Sequence, residues 1–214
     1  MTETINKYKN FYYPPGGILL WIIILIELFT FGMGLVGLMI FAKEEPEVFH
    51  ASRMQLNAAY GAINTIFLLS SGYFMAKAVL RYKQQLYEKA VQFIRFAMAG
   101  GVLFIALKSL EYFEKLQAGH DLSSNMFYTF YWLLTGFHVV HVLVGLVILA
   151  FVGRSIKKQK EGAVLEDIEA GAAFWHMCDL IWLLLFPSHL PNPPLRYLFI
   201  ACNQSWLTIS IINI

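Results

Sequence analysis

The sequence predicts an all-α protein, a multi-pass transmembrane bundle of five spanning helices with a cytoplasmic N-terminus. Three observations carry that expectation. The chain of 214 residues is 58% hydrophobic and 16% aromatic but only 14% charged, whereas soluble domains run nearer ~45–50% apolar and ~25% charged. Five apolar runs follow one another, most of them near or above the ~20 residues that cross a bilayer at ~1.5 Å rise per residue. Charge concentrates between these runs and is asymmetric from one side to the other. A net charge of +2 and the lack of a basic stripe with interleaved aromatics argue against nucleic acid. No room is left for a separate soluble domain, so residues 1–187 read as one transmembrane domain and 188–214 as an atypical tail.

The first run, about 17–41, is entered through Pro14-Pro15-Gly16-Gly17, a breaker cluster suited to a helix start. Residues 1–13 are polar and lack a small-residue cleavage site after a short apolar core, so no signal peptide is expected. The second run, about 55–80, is closed by Arg81-Tyr82-Lys83. The third is about 91–113 and the fourth 126–152. The fifth, about 170–186, is marginal in length unless it continues past Pro187. Three prolines in 188–194 cannot continue a helix. The apolar stretch 195–214 is interrupted by Asn203-Gln204-Ser205 and reads as a poorly ordered or surface-lying tail rather than a sixth span. Cys178 and Cys202 follow no metal or redox spacing.

Loop charge orients the chain. The N-terminus and the second and fourth connections hold Lys7, Lys9, Arg81, Lys83, Lys89, Arg154, Lys157, Lys158 and Lys160, against Lys43, Arg53 and Lys115 on the other side. The positive-inside rule then places the N-terminus in the cytoplasm and, with five spans, the C-terminus outside. Lys77 and Arg95 lie near inner ends, where long cations snorkel.

Ionisable groups inside apolar runs are costly and mark polar networks or pathways. His138 and His141 sit three apart near the centre of the fourth run, on one helix face. His176 and Asp179 repeat the spacing on the fifth, at a similar depth, so that the two pairs are placed to meet. Two readings stay open: a metal or haem site, or a hydrogen-bonded network involving Asp179, Thr135 or a backbone carbonyl. No run of glycines flanks either pair to admit a porphyrin. Glu27 falls near the middle of the first run and is expected to be neutral or hydrogen-bonded within the bundle. Lys108 and Glu111, also three apart, read as an ion pair near the outer end of the third run. Asn64, Thr65, Ser70 and Ser71 are interhelical hydrogen-bond candidates, and Gly32, Gly34 and Gly37 allow the first helix a close neighbour.

These residues resemble subunit III of the haem–copper oxidases. Ile26-Glu27-Leu28-Phe29 followed by glycines is similar to the family helix with a membrane-buried glutamate. Asn64-Thr65-Ile66-Phe67-Leu68-Leu69-Ser70-Ser71 and Lys108-Ser109-Leu110-Glu111-Tyr112 resemble its Asn-Thr…Ser-Ser and Glu-Tyr elements. Thr135-Gly136-Phe137-His138-Val139-Val140-His141-Val142 resembles its Thr-Gly-x-His-x-x-His-Val motif, and Trp175-His176-Met177-Cys178-Asp179-Leu180-Ile181-Trp182 its Trp-His-x-x-Asp-x-x-Trp motif. The likeness covers about 15–187. It is to the short five-helix form and is nearest the NorE-type proteins that accompany nitric oxide reductase.

The resemblance implies an accessory subunit of a haem–copper oxidase or nitric oxide reductase complex, multi-pass in a bacterial inner membrane. Such a subunit binds no cofactor or metal of its own and has no catalytic residues. Its partners are phospholipid and a catalytic haem-containing membrane subunit, which carries haem with copper or non-haem iron. The family supports proton uptake, assembly and stability of that subunit. Glu27, His138, His141, His176, Asp179, Lys108 and Glu111 then form a buried polar or proton network, while Asn64, Thr65, Ser70, Ser71, Thr135, Gly136 and Trp175 pack helices. The rival readings are a stand-alone membrane haem or metal protein using the histidines, and a transporter, for which the sequence shows no repeats or broken helices.

Overall fold

The computed structural model describes residues 17–158 and 165–189. Lys7, Lys9, Lys160 and the tail from residue 190 onward lie outside the described residues. Among those described, six helices and no strands occur: α1 (Ile18–Glu44), α2 (Pro46–Met54), α3 (Ala58–Lys83), α4 (Tyr87–Gln117), α5 (Met126–Lys158) and α6 (Leu165–Ser188). All but α2 are long and apolar enough to cross a membrane.

The spans run longer than their apolar cores. α4 has 31 residues, about 46 Å at 1.5 Å each, well beyond a hydrocarbon core of ~30 Å. Its charged end residues lengthen the helix without belonging to the apolar run, which is why the run alone underestimates it. α6 likewise starts at Leu165, with Glu166 and Asp167 complementing the positive end of the helix dipole, and it carries Pro187 in its last turn. α2, which the run of hydrophobicity does not reveal, is a short helix started by Pro46 at its first turn. It buries only Phe49 and Ser52.

Local chemistry fixes the ends. Asn57 caps α3, its side chain accepting from the Ala59 amide at 3.0 Å. Asn125 does the same for α5 through the Tyr128 amide at 2.9 Å. α4 stops at Gly119, whose φ of +77° suits a glycine in the left-handed closing turn. The loop that follows is tied by Asp121, which accepts from the Ser124 and Ser123 hydroxyls and the Ser123 amide. Those bonds hold the Asp121 carboxyl below the usual carboxylate range. The α2–α3 turn is stitched to this end of the bundle by Tyr128 donating to Gln55 Oε1 (2.9 Å), Asn125 donating to Ser52 Oγ (2.9 Å) and Lys115 donating to the Gln55 carbonyl.

α3 and α4 form the most extensive pairing, an antiparallel hairpin. α6 packs against α3, α5 and α1, and α5 also meets α4 and α1. The central stretch of α6 is 56% buried against 17% for α1, which makes α6 the inner helix and α1 a peripheral one. α1 presents Ile24, Phe31, Leu35 and Leu38 inward, a stripe at helical spacing. Gly34 and Gly37 are the sites of its close approach to α5, against Leu134 and Phe130, whereas Gly32 faces open space.

The tightest packing surrounds Trp175, which is fully buried. A Cβ on Gly101 of α4 would stand 2.6 Å from its ring, and one on Gly145 of α5 2.8 Å. The indole N–H donates to Ser71 Oγ of α3 at 2.9 Å, and that hydroxyl donates to the Ala97 carbonyl of α4 at 2.6 Å. One side chain of α6 thus gauges the spacing of three neighbours. Gly101→Ala is expected to destabilise the purified chain by ~1–3 kcal/mol through overpacking, read as a lower thermal unfolding midpoint in detergent. Gly136→Ala, whose added methyl meets nothing within 4 Å, should leave the midpoint unchanged or slightly raised.

Candidate functional site

Helical rotation decides which of the predicted polar residues come together. Successive residues turn by about 100°, so His138 and His141 share a broad face of α5 but look toward different neighbours. His141 faces α1: its Nε2 lies 3.2 Å from Glu27 Oε2. Its Nδ1 sits 2.8 Å from the Phe137 carbonyl, which only accepts, so Nδ1 carries the hydrogen. The Phe31 and Phe137 rings stand edge-on to the imidazole at 5.6 and 4.5 Å, enclosing the pair in an apolar collar. Glu27 is half-buried on the otherwise lipid-facing α1.

His138 faces the interior. It is fully buried, stacks on Trp182 at 5.4 Å and meets the Phe104 ring edge-on at 5.5 Å. Neither of its ring nitrogens has a hydrogen-bond partner among the described residues. The space a porphyrin would need beside it is occupied by these aromatic rings. Among the described residues, no three His, Cys, Asp or Glu side chains are grouped to hold a metal ion.

His176 and Asp179 do not join the α5 histidines. His176 Nδ1 lies 3.5 Å from Asp179 Oδ2, and the pair adjoins α3, where a side chain on Gly72 would collide with Asp179 Oδ2. The expected meeting of the two motif pairs therefore gives way to two separate groups. The reason is rotational: Phe174, two residues before His176 and hence on nearly the opposite side of α6, is the residue that stacks over His141.

Lys108 and Glu111 form the expected ion pair, at 2.9 Å, with both side chains more than nine-tenths buried. Tyr131 of α5 completes the group by donating to Glu111 Oε1 at 2.6 Å and accepting from Lys108 at 3.1 Å. The ammonium also lies over the Tyr131, Tyr112 and Trp182 rings, at 4.8 to 5.3 Å, where the ring quadrupole favours a cation. A cavity of about 30 Å³ opens beside Lys108, Glu111, Tyr131, Thr135 and His189, room for one water molecule. His189 donates through Nδ1 to the Leu185 carbonyl at 2.6 Å, and its Nε2 is unpartnered among the described residues.

The packing candidates divide. Thr65 accepts from the Trp182 indole at 3.0 Å, and Thr135 accepts from Tyr112 at 2.8 Å while donating to the Tyr131 carbonyl at 2.6 Å. Ser71 and Trp175 form the central contact described above. Asn64 is fully buried with both amide atoms unpartnered among the described residues, Ser70 is exposed, and Gly136 touches nothing within 4 Å. Tyr131, Trp182 and His189 are the partners that spacing within single runs does not reveal, since each acts across helices.

Removing one member of a buried ion pair strands the other, at ~3–5 kcal/mol. Lys108→Met and Glu111→Leu are each expected to destabilise the chain by roughly that amount, while the double substitution costs less than either. Thermal unfolding of the four proteins in detergent measures the coupling; additive losses would show that the two groups do not act as a pair.

Residues 56–189 match the family described as Cytochrome c oxidase subunit III. A cytochrome c oxidase subunit 3 of Synechocystis sp. is 31% identical over 134 residues, covering 62% of this chain and 56% of the relative. Those of Formosania lacustris and of Triticum aestivum are each 31% identical, over 127 and 135 residues, covering 59% of this chain and 48% and 47% of the relatives. The chain spans about half the length of the curated relatives it matches. The family match begins at Leu56, after α1, and so does not include Glu27. It takes in α3 to α6 with the Lys108–Glu111, His138–His141 and Trp175–Asp179 elements, more than half of the sequence, and on that ground the chain belongs to the cytochrome c oxidase subunit III family.

Proposed function

We propose that the chain is an accessory, non-redox subunit of a respiratory haem–copper oxidase or of the related nitric oxide reductase assembly. It sits in a bacterial inner membrane with the N-terminus in the cytoplasm, beside a catalytic subunit that carries haem with copper or non-haem iron. Phospholipid covers the apolar faces that α1 presents through Ile22, Leu25 and Phe29. In this role it binds no cofactor and supports proton uptake, assembly and stability of its partner.

The observation that carries the proton role is the Glu27–His141 pair. Nδ1 of His141 is committed to the Phe137 carbonyl, which leaves Nε2 with a single lone pair 3.2 Å from the carboxyl. Glu27 Oε2 has no formed hydrogen bond among the described residues, and a small shift that closes this contact would let one proton serve both groups in an environment that penalises separate charges. A carboxyl that exchanges this proton with the half-exposed side of α1 is a natural relay or buffer, because losing or gaining it does not break a larger network.

Glu27→Gln keeps the size and a hydrogen-bonding amide but removes the exchangeable carboxyl. The complex is expected to assemble in normal yield, to take up protons more slowly and to inactivate after fewer turnovers. The checks are proton uptake in reconstituted vesicles and the decay of activity with turnover number. Unchanged uptake and unchanged inactivation would remove the proton role while leaving the family assignment intact.

A further inference from the structure

We infer that the membrane face of α6 centred on His176 is the surface on which a transmembrane helix of the catalytic subunit docks, and that this helix brings a side chain able to hydrogen-bond the His176 imidazole. The inference rests on the subunit reading above and specifies its interface.

Depth comes first. His176 lies midway between Leu165 and Ser188, the ends of α6, so it sits near the bilayer midplane. Its side chain is 46% exposed there, in the region where water is absent and an ionisable group is most costly. Glu27, His138, His141 and Lys108 are all less exposed and turned to other helices or rings. His176 alone among these intramembrane polar groups is classed as exposed.

The pair is also incomplete. Asp179 is nine-tenths buried, yet its Oδ1 has no hydrogen-bond partner among the described residues, and Oδ2 has only His176 at 3.5 Å. Nδ1 of His176 faces that carboxylate, so the free valence of the ring is Nε2, on the exposed side. Oδ1 is enclosed within the chain and out of reach of a docked helix, so the imidazole is the group left for an outside partner, and a lipid tail offers it nothing. Headgroups and water lie half a bilayer away, and an imidazole on so short a stem cannot snorkel that distance as lysine or arginine does. Only a polar side chain on another membrane-spanning helix supplies the missing partner at this depth.

The surroundings suit a helix. Leu180, Leu183 and Leu184 are exposed next along α6, and Leu69 and Ala76 are exposed on α3 either side of Gly72. Gly72 brings the α3 backbone against Asp179, which lowers the wall between the two helices. The result is a largely apolar strip, bordered on α3 by the exposed Tyr73 ring and with one imidazole at its centre, the arrangement in which an interhelical hydrogen bond sets the register of two packed helices.

The test uses the intact complex in its native membrane. A photo-crosslinking amino acid is placed at Leu180, one turn from His176, and separately at Leu143, exposed on α5. The expected product is a covalent adduct between position 180 and the haem-carrying subunit, with none from position 143. Because His176 is the one partner of buried Asp179 Oδ2, His176→Ala is made in an Asp179→Leu background, where no carboxylate is left to strand; there it should raise the dissociation rate of the subunit from the complex about fivefold, the loss expected for one interhelical hydrogen bond, while leaving thermal unfolding of the isolated chain unchanged. An adduct from 180 to lipid, to a second copy of this chain or to a chain without haem overturns the assignment. Co-purification of haem with the tagged chain then separates the two failures: haem present means only the docking face is wrong, and haem absent means the subunit reading has failed as well.

Discussion

The fold depends on how closely three helices approach one indole of a fourth. Trp175 fills the interior where α3, α4 and α5 converge on α6, and it does so only because Gly101 and Gly145 present no side chain there. In a membrane, helices gain nothing from hiding apolar surface from one another, since lipid is equally apolar; close packing and interhelical hydrogen bonds hold them instead. The Trp175 site supplies both. Its ring makes the dispersion contacts, and its N–H closes a chain through Ser71 to the Ala97 carbonyl. Once those positions are set, the rotation of α6 is set too, and with it the direction of every other side chain on the helix.

That rotation distributes the polar groups. Phe174 is turned to His141, Cys178 and Ile181 to the interior, Asp179 to Gly72 of α3, and His176 outward. Residues that look like one motif in the sequence are thereby assigned to different tasks. The α5 motif divides the same way, with His138 stacked on Trp182 inside and His141 facing Glu27 on α1. The polar inventory is a set of small, separate clusters: Lys108 with Glu111 and Tyr131, His141 with Glu27, and His176 with Asp179.

Much of this was legible from residue types and spacing, and the limits have physical causes. The five spans follow from hydropathy because the bilayer imposes a length on any helix that crosses it. Their ends were underestimated because the charged last turns of α4 and the acidic first turn of α6 lie beyond the apolar run that hydropathy measures. α2 was invisible for the same reason: it lies outside the spans and buries only Phe49 and Ser52. The Lys108–Glu111 pair was readable from spacing within one helix, but its third member, Tyr131, was not, because no periodicity in α4 points to a residue of α5. The spacing of the α5 and α6 motifs suggested a similar depth for both. Whether they meet depended on rotation about the helix axis, which depth does not determine. Gly136 shows the converse, a small residue inside a motif whose open side meets nothing within 4 Å among the described residues.

The most buried span of the bundle is also the one with the least surface left to offer. With 56% of its central stretch buried, α6 retains a narrow outward strip, and a residue placed there is fixed in direction by everything behind it. A peripheral helix such as α1, touching the bundle along one stripe, has its angle set by fewer neighbours and its outward side chains correspondingly less tightly aimed. A polar residue on the outer strip of α6 is therefore presented at a definite depth and angle; His176 is held from the inside by Trp175, the residue just before it in sequence. Rigid elements place interacting groups more accurately than mobile ones. The same packing that makes α6 the core of this subunit makes His176 its best-positioned contact for another.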